Sequence, residues 1–160
     1  MRKKPEISLR GRALQYLARR EFSRAELRAK LLPYVVAPED DFASAPPIDL
    51  DALLDDLTAR GWLSDARATT QLVHAKRKRF GTQRITHELR QRGISDELID
   101  AELPALKESE LEAARDVWQR RFGTLPQDAK EKAKQMRFLQ SRGFSMESII
   151  KVMRSEVDDE

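Results

Sequence analysis

The chain has 160 residues, no cysteine, 36% charged residues and a formal net charge of +3 at pH 7. That excludes a disulfide framework and thiolate chemistry, and with six glycines and 6% aromatics it favours helix over sheet. No apolar run approaches a membrane span, and the opening MRKKPEISLRGR lacks a signal-peptide core, so the expectation is a soluble, cytoplasmic all-α protein.

Helical periodicity predicts nine helices. After a basic tail, 1–8, the first runs over about 9–20 with Leu14, Leu17 and Ala18 along one side. The second opens at Ser23, where Glu26 completes an S-x-x-E capping box. Residues 33–48, rich in proline and acid, read as an exposed, mobile insert. Leu50, Leu53, Leu54 and Leu57 mark a third helix that ends at Gly61. A fourth, about 65–79, carries Leu72 and Val73 and finishes in KRKR. Ile85 and Leu89 belong to a fifth, and Leu98 and Ile99 to a short sixth that ends near Pro104. Leu111, Ala114, Val117, Trp118 and Phe122 form the stripe of a seventh. Pro126 is placed to open an eighth that buries Ala129, Ala133, Met136 and Leu139. The ninth uses Met146, Ile149, Ile150 and Met153 before an acidic tail, 155–160. Trp62 and Trp118 read as core anchors.

One phrase recurs: ARGWLSDARA from 59, RQRGISDELID from 90 and SRGFSMESII from 141. Glycine ends a helix in the left-handed conformation, and the serine that follows caps the next one. With Ser95 and Ser145 as N-caps, Ile94 and Ile99 fall at staple spacing, and so do Phe144 and Ile149. Phe22, Phe80 and Phe122 each close a first helix; Leu27 and Leu31 follow the first as Ile85 and Leu89 follow the second. The helices therefore group into three-helix modules at 9–60, 65–103 and 108–154, each too small to bury a core without a neighbour.

Charge alternates in blocks. Residues 1–32 hold ten Lys/Arg against three acids, 33–65 one against eight, and 66–93 eight against one. Such blocks suit a long partner of patterned charge; the plainer reading is solvated helix faces with i,i+4 pairs. The sharpest cluster is KRKRFGTQR, which gives Lys76, Arg77, Lys78, Arg79 and Arg84, with Arg90 and Arg92 beyond it. These seven are the candidate contacts to an acidic protein surface or DNA, and the helix beginning at GT adds an N-terminus that favours an anion. No catalytic constellation, metal site or cofactor motif is found: His74 and His87 lie on different helices, and adjacent Asp55 and Asp56 diverge.

The stretches LARREFSRAELRAKL (17–31), LLDDLTARGWLSDARATTQLVHAKRKRFGTQRITHELRQRGISDELIDAEL (53–103) and FLQSRGFSMESIIKVM (138–153) resemble the RecX family of bacterial recombinase regulators. The resemblance implies three tandem three-helix repeats in an elongated, curved helical array, and a monomer. It also implies a non-enzymatic regulator that binds the RecA recombinase filament on DNA and modulates, most often inhibits, its ATPase and strand exchange. The acidic, proline-rich insert stands where the family has a short glycine corner. The competing expectation is a helical-repeat protein that binds DNA directly, without a recombinase.

Overall fold

In the computed structural model, which describes residues 7–35 and 49–154, side-chain caps set where most helices begin. Helix α1 (Leu9–Arg19) starts at Ser8, and α2 (Arg24–Leu31) at Ser23 with both halves of its capping box formed. Asp49 caps α3 (Leu50–Ala59), Ser95 caps α6 (Asp96–Arg121) and Asp128 caps α7 (Ala129–Ser141). Helices α4 (Asp65–Lys76), α5 (Thr82–Gln91) and α8 (Met146–Arg154) complete the set, and every regular element among the described residues is helical. Gly61, Gly93 and Gly143 end their helices at φ of 77°, 77° and 86°, the left-handed conformation that the repeated phrase requires. Most of the 1–8 tail, the 155–160 tail and residues 36–48 of the insert lie outside the described residues.

Several expectations are corrected. The sixth and seventh helices are one, because α6 passes through Pro104. Proline removes one backbone hydrogen bond, a cost of about 3 kcal/mol. Ile99, Leu106, Glu110, Ala113 and Ala114 recur on one buried face on both sides of it, and only a continuous helix buries them all. Each large apolar side chain in that face contributes about 1.5–3 kcal/mol, so burial outweighs the missing bond. Helix α7 opens at Asp128, not Pro126; Ala129 and Ala133 are exposed while Gln135 is buried. Trp118 Nε1 donates to Gln135 Oε1 at 2.8 Å, and Gln135 Nε2 donates to the Thr124 carbonyl at 3.1 Å, a buried polar link that an apolar pattern does not reveal.

Trp62 is 44% exposed, and its neighbour Leu63 takes the core position. In α1 the inward face is Leu9, Ala13, Tyr16 and Leu17, with Leu14 and Ala18 turned outward. The first residues of the insert are ordered: Leu32–Tyr34 form a 3₁₀ turn, Val35 packs on the core, and Arg12 lies 3.8 Å from the Tyr34 ring centroid.

The chain divides into two compact units, Met1–Ala68 with Arg92–Ile94, and Thr69–Gln91 with Ser95–Glu160. The first is built on Phe22, Leu27, Leu31, Leu50, Leu54, Leu57 and Leu63. Within it the 92–93 corner seats on the start of α2: the Ser23 hydroxyl donates to the Arg92 carbonyl, and Gly93 lies against Ala25 with no room for a Cβ. The Arg24 amide donates to Asp65 Oδ1 at 2.7 Å.

The second unit repeats the arrangement. The 142–143 corner seats on the start of α5, with the Gly81 amide donating to the Arg142 carbonyl at 2.8 Å and the Gln83 amide to the Gly143 carbonyl at 3.3 Å. A Cβ on Gly81 would fall inside the Gly143 backbone, and one on Gly143 would meet Arg84. Glu110, buried on α6, accepts from the Thr82 amide at 3.0 Å, the Ser145 hydroxyl at 2.8 Å and the Ser148 hydroxyl at 2.7 Å. Burial by itself would raise its carboxyl pKa; the bonds from Ser148, Thr82 and Ser145 outweigh that and hold it below the ordinary glutamate range.

Gly81→Ala and Gly143→Ala are expected to cost about 2–3 kcal/mol each through backbone displacement. Gly61→Ala, where a Cβ meets open space, carries only the left-handed strain of about 1–2 kcal/mol. Chemical denaturation of the three variants checks the order, and equal losses would refute close seating of the corner.

A carboxyl with a depressed folded pKa stabilises above its unfolded pKa of about 4.3, and that contribution is lost as pH falls through the folded value. Glu110→Gln should lower stability at pH 7 by roughly 2–3 kcal/mol and flatten the acid limb of the melting profile. Parallel acid limbs for variant and parent would show that Glu110 does not anchor the unit.

Candidate functional site

The basic cluster lies where α4 ends. Residues 77–79 form a turn, closed by bonds from the Arg79 and Phe80 amides to the Lys76 carbonyl, and Gly81 then leads into α5. Lys76, Arg77, Lys78, Arg79 and Arg84 thus share one corner of the second unit.

Their partners differ. Lys76 pairs with Glu88 at 3.3 Å, and Arg90 approaches Asp96 at 3.9 Å. Arg92 belongs to the first unit, where it lies 3.8 Å from Glu26. Burial would raise the Glu26 carboxyl pKa, but the bonds from Arg20 and the Ser23 amide, with the charges of Arg92 and Arg20, hold it low. Arg92 is thereby tied to the head of α2. Among the described residues no acidic partner meets Arg77, Lys78, Arg79 or Arg84. Arg84 donates to the Ser141 carbonyl at 3.1 Å and rests 4.3 Å from the Phe80 ring centroid.

The expected anion site at the start of α5 is corrected. The amides of Gly81, Thr82 and Gln83 are taken by the Arg142 carbonyl, Glu110 and the Gly143 carbonyl, so the chain itself supplies the negative charge there.

In the first unit the charge blocks answer one another across helices. Arg10 meets Asp56 at 2.6 Å, Arg24 meets Asp55 at 2.8 Å, Arg28 meets Asp51 at 3.3 Å and Arg67 meets Glu21 at 3.0 Å. Hydrogen bonds from Arg10, then Arg60, hold the Asp56 carboxyl below the usual aspartate range. Exposed pairs of this kind add little stability, yet they neutralise the block, so much of its positive charge is not offered to a partner. The pairing is between helices more than along them, which neither reading of the blocks anticipated.

Local sequence patterns do not reveal Phe80, Arg142, Phe138 and Arg121 as parts of the same surface. The Arg142 guanidinium lies 5.3 Å from the Phe80 centroid and 5.2 Å from that of Phe138, and Arg121 lies 5.3 Å from Phe138. Arg79 and Lys76 also flank Phe80, at 5.7 Å and 5.2 Å. The only sequence signal for Arg142 is its place before glycine in the repeated phrase; nothing in local spacing brings it to Phe80.

Comparison with known proteins gives matches along most of the chain. Residues 64–103 match the family model described as "RecX, second three-helix domain", and residues 108–153 match "RecX, third three-helix domain". A "Regulatory protein RecX" of Leptothrix cholodnii is 49% identical over 152 residues, covering 94% of this chain and 90% of that protein. Another of that name from Herminiimonas arsenicoxydans is 43% identical, covering 98% of each. Among solved structures, RecX from Lactobacillus salivarius superposes with a TM-score of 0.68 at 18% identity, covering 91% of this chain and 92% of that one. A second, described as regulatory protein RecX, gives a TM-score of 0.70 at 21% identity, covering 92% of this chain and 72% of that one. At those identities the structural likeness speaks for the fold alone.

Proposed function

The chain belongs to the RecX family of regulatory proteins, and on that premise we propose that it binds the RecA recombinase filament and restrains its ATPase and strand exchange in DNA recombination and repair. The observation that carries the proposal is the contrast in charge pairing. Arg10 of α1 and Arg24 and Arg28 of α2 meet aspartates of α3, whereas Arg77, Lys78, Arg79 and Arg84 stand exposed or half-exposed without an acidic partner among the described residues. Cations held out of internal pairs are available to acidic protein surface or to filament-bound phosphate, and many weak contacts along a repeating filament add through avidity. The second reading, direct DNA binding without a recombinase, draws on the same cations.

Charge reversal at Arg77, Lys78 and Arg79 leaves the buried Leu72 and Val73 untouched and is expected to spare the fold. Each charge-assisted hydrogen bond to the partner is worth roughly 1.5–3 kcal/mol, so half-inhibition of recombinase ATPase should need at least about tenfold more protein. Added salt should narrow the difference from the parent. Reversal at the exposed Lys130, Lys132 and Lys134 of α7 is the comparison, and equal small effects at both places would mean that the central charges are merely solvated. Co-sedimentation with recombinase filaments separates the two readings: a clear preference for the filament over bare DNA is expected, and its absence overturns the recombinase reading.

A further inference from the structure

Five side chains of the second unit alternate cation and ring: Arg84, Phe80, Arg142, Phe138, Arg121. They come from the start of α5, the turn before it, the C-terminal end of α7 and the end of α6. Phe122 meets Phe138 edge to face at 5.4 Å, and Phe138 packs on the core, so the rings are fixed supports. A ring beneath a guanidinium holds it through the quadrupole and uses none of its N–H donors, whereas a carboxylate partner takes two. Arg84 gives one bond to the Ser141 carbonyl; Arg121 and Arg142 have no acidic partner among the described residues. Three guanidiniums are thus held in place with most of their donors unspent.

We propose that this row binds the backbone of a single-stranded nucleic acid, with the guanidiniums contacting successive phosphates and presenting their outer faces to unstacked bases. Ring-backed, planar cations suit this chemistry because guanidinium pairs bidentately with phosphate and stacks on aromatic planes. An acidic protein surface asks only for positive charge, for which a lysine serves and no ring is needed. A duplex offers phosphates but keeps its base faces stacked. The proposal rests on the recombinase reading only for where such a strand is met, since a recombinase filament on DNA carries one.

The test uses the full chain without recombinase, a fluorescent oligothymidylate, a duplex of equal length and anisotropy at low salt. Arg84→Lys with Arg142→Lys keeps every charge and should weaken oligothymidylate binding at least about fivefold while changing duplex binding by less than about twofold. Phe138→Leu, which keeps an apolar core contact, should weaken the strand by about threefold. Three outcomes each overturn the site: unchanged strand affinity in the double Lys variant, duplex bound as tightly as the strand by the parent, or polyglutamate displacing the strand as well as unlabelled oligothymidylate does. Filament preference is scored separately by co-sedimentation. Its loss with strand binding intact overturns the recombinase reading and leaves the row standing; the reverse overturns the row alone.

Discussion

The buried carboxylate of Glu110 is the interaction on which the second unit depends. A helix that starts inside a packed protein brings bare amide donors with it, and they must find acceptors. Glu110 answers two such starts at once, taking the Thr82 amide at the head of α5 and the Ser145 and Ser148 groups at the head of α8. Its bonds outweigh the cost of burying the charge, so the carboxyl stays ionised. An apolar side chain there would leave donors at the heads of two helices without this acceptor.

The first unit solves the same problem with the same parts. Counting from Phe22 and Phe80, Ser23 stands in the place of Gly81 and Arg24 in the place of Thr82. The Arg24 amide goes to Asp65 as the Thr82 amide goes to Glu110, and the Arg92 carbonyl receives Ser23 as the Arg142 carbonyl receives Gly81. The recurring arginine–glycine–apolar–serine phrase is thus more than a stop and a start. Glycine lets the corner come into contact with the head of another helix, where Gly93 meets Ala25 and Gly143 meets Arg84. At Gly61 the conformation is the same, yet among the described residues nothing lies within 4 Å of where a Cβ would sit.

This economy shapes the surface. With its head closed by Glu110 and the 142–143 corner, α5 offers no anion site of its own, and attraction for a polyanion falls to side chains. Seating that corner also carries Arg142 to Phe80, so one set of bonds both completes the core and assembles the row of rings and cations. Substitutions at the corner therefore act on stability and on the surface together.

The helical class, most caps, the placing of Phe144 with Ile149 in one core, and the left-handed glycines were legible in the sequence because each depends on residues within a few positions of one another. So was the crowding of Lys76 to Arg84. What sequence could not decide was set by partners far along the chain. Pro104 reads locally as a stop, but burial of Ile99 and Leu106 on one face carries α6 through it. Trp62 reads as core, but only one of two neighbouring apolar residues can face inward, and Leu63 takes that place. The charge blocks read as a surface pattern until α1 and α2 meet α3 and cancel much of it. Local spacing fixes helices and caps because backbone hydrogen bonds and dihedrals are local; which cations remain unpaired, and which ring each rests on, depends on which helices meet.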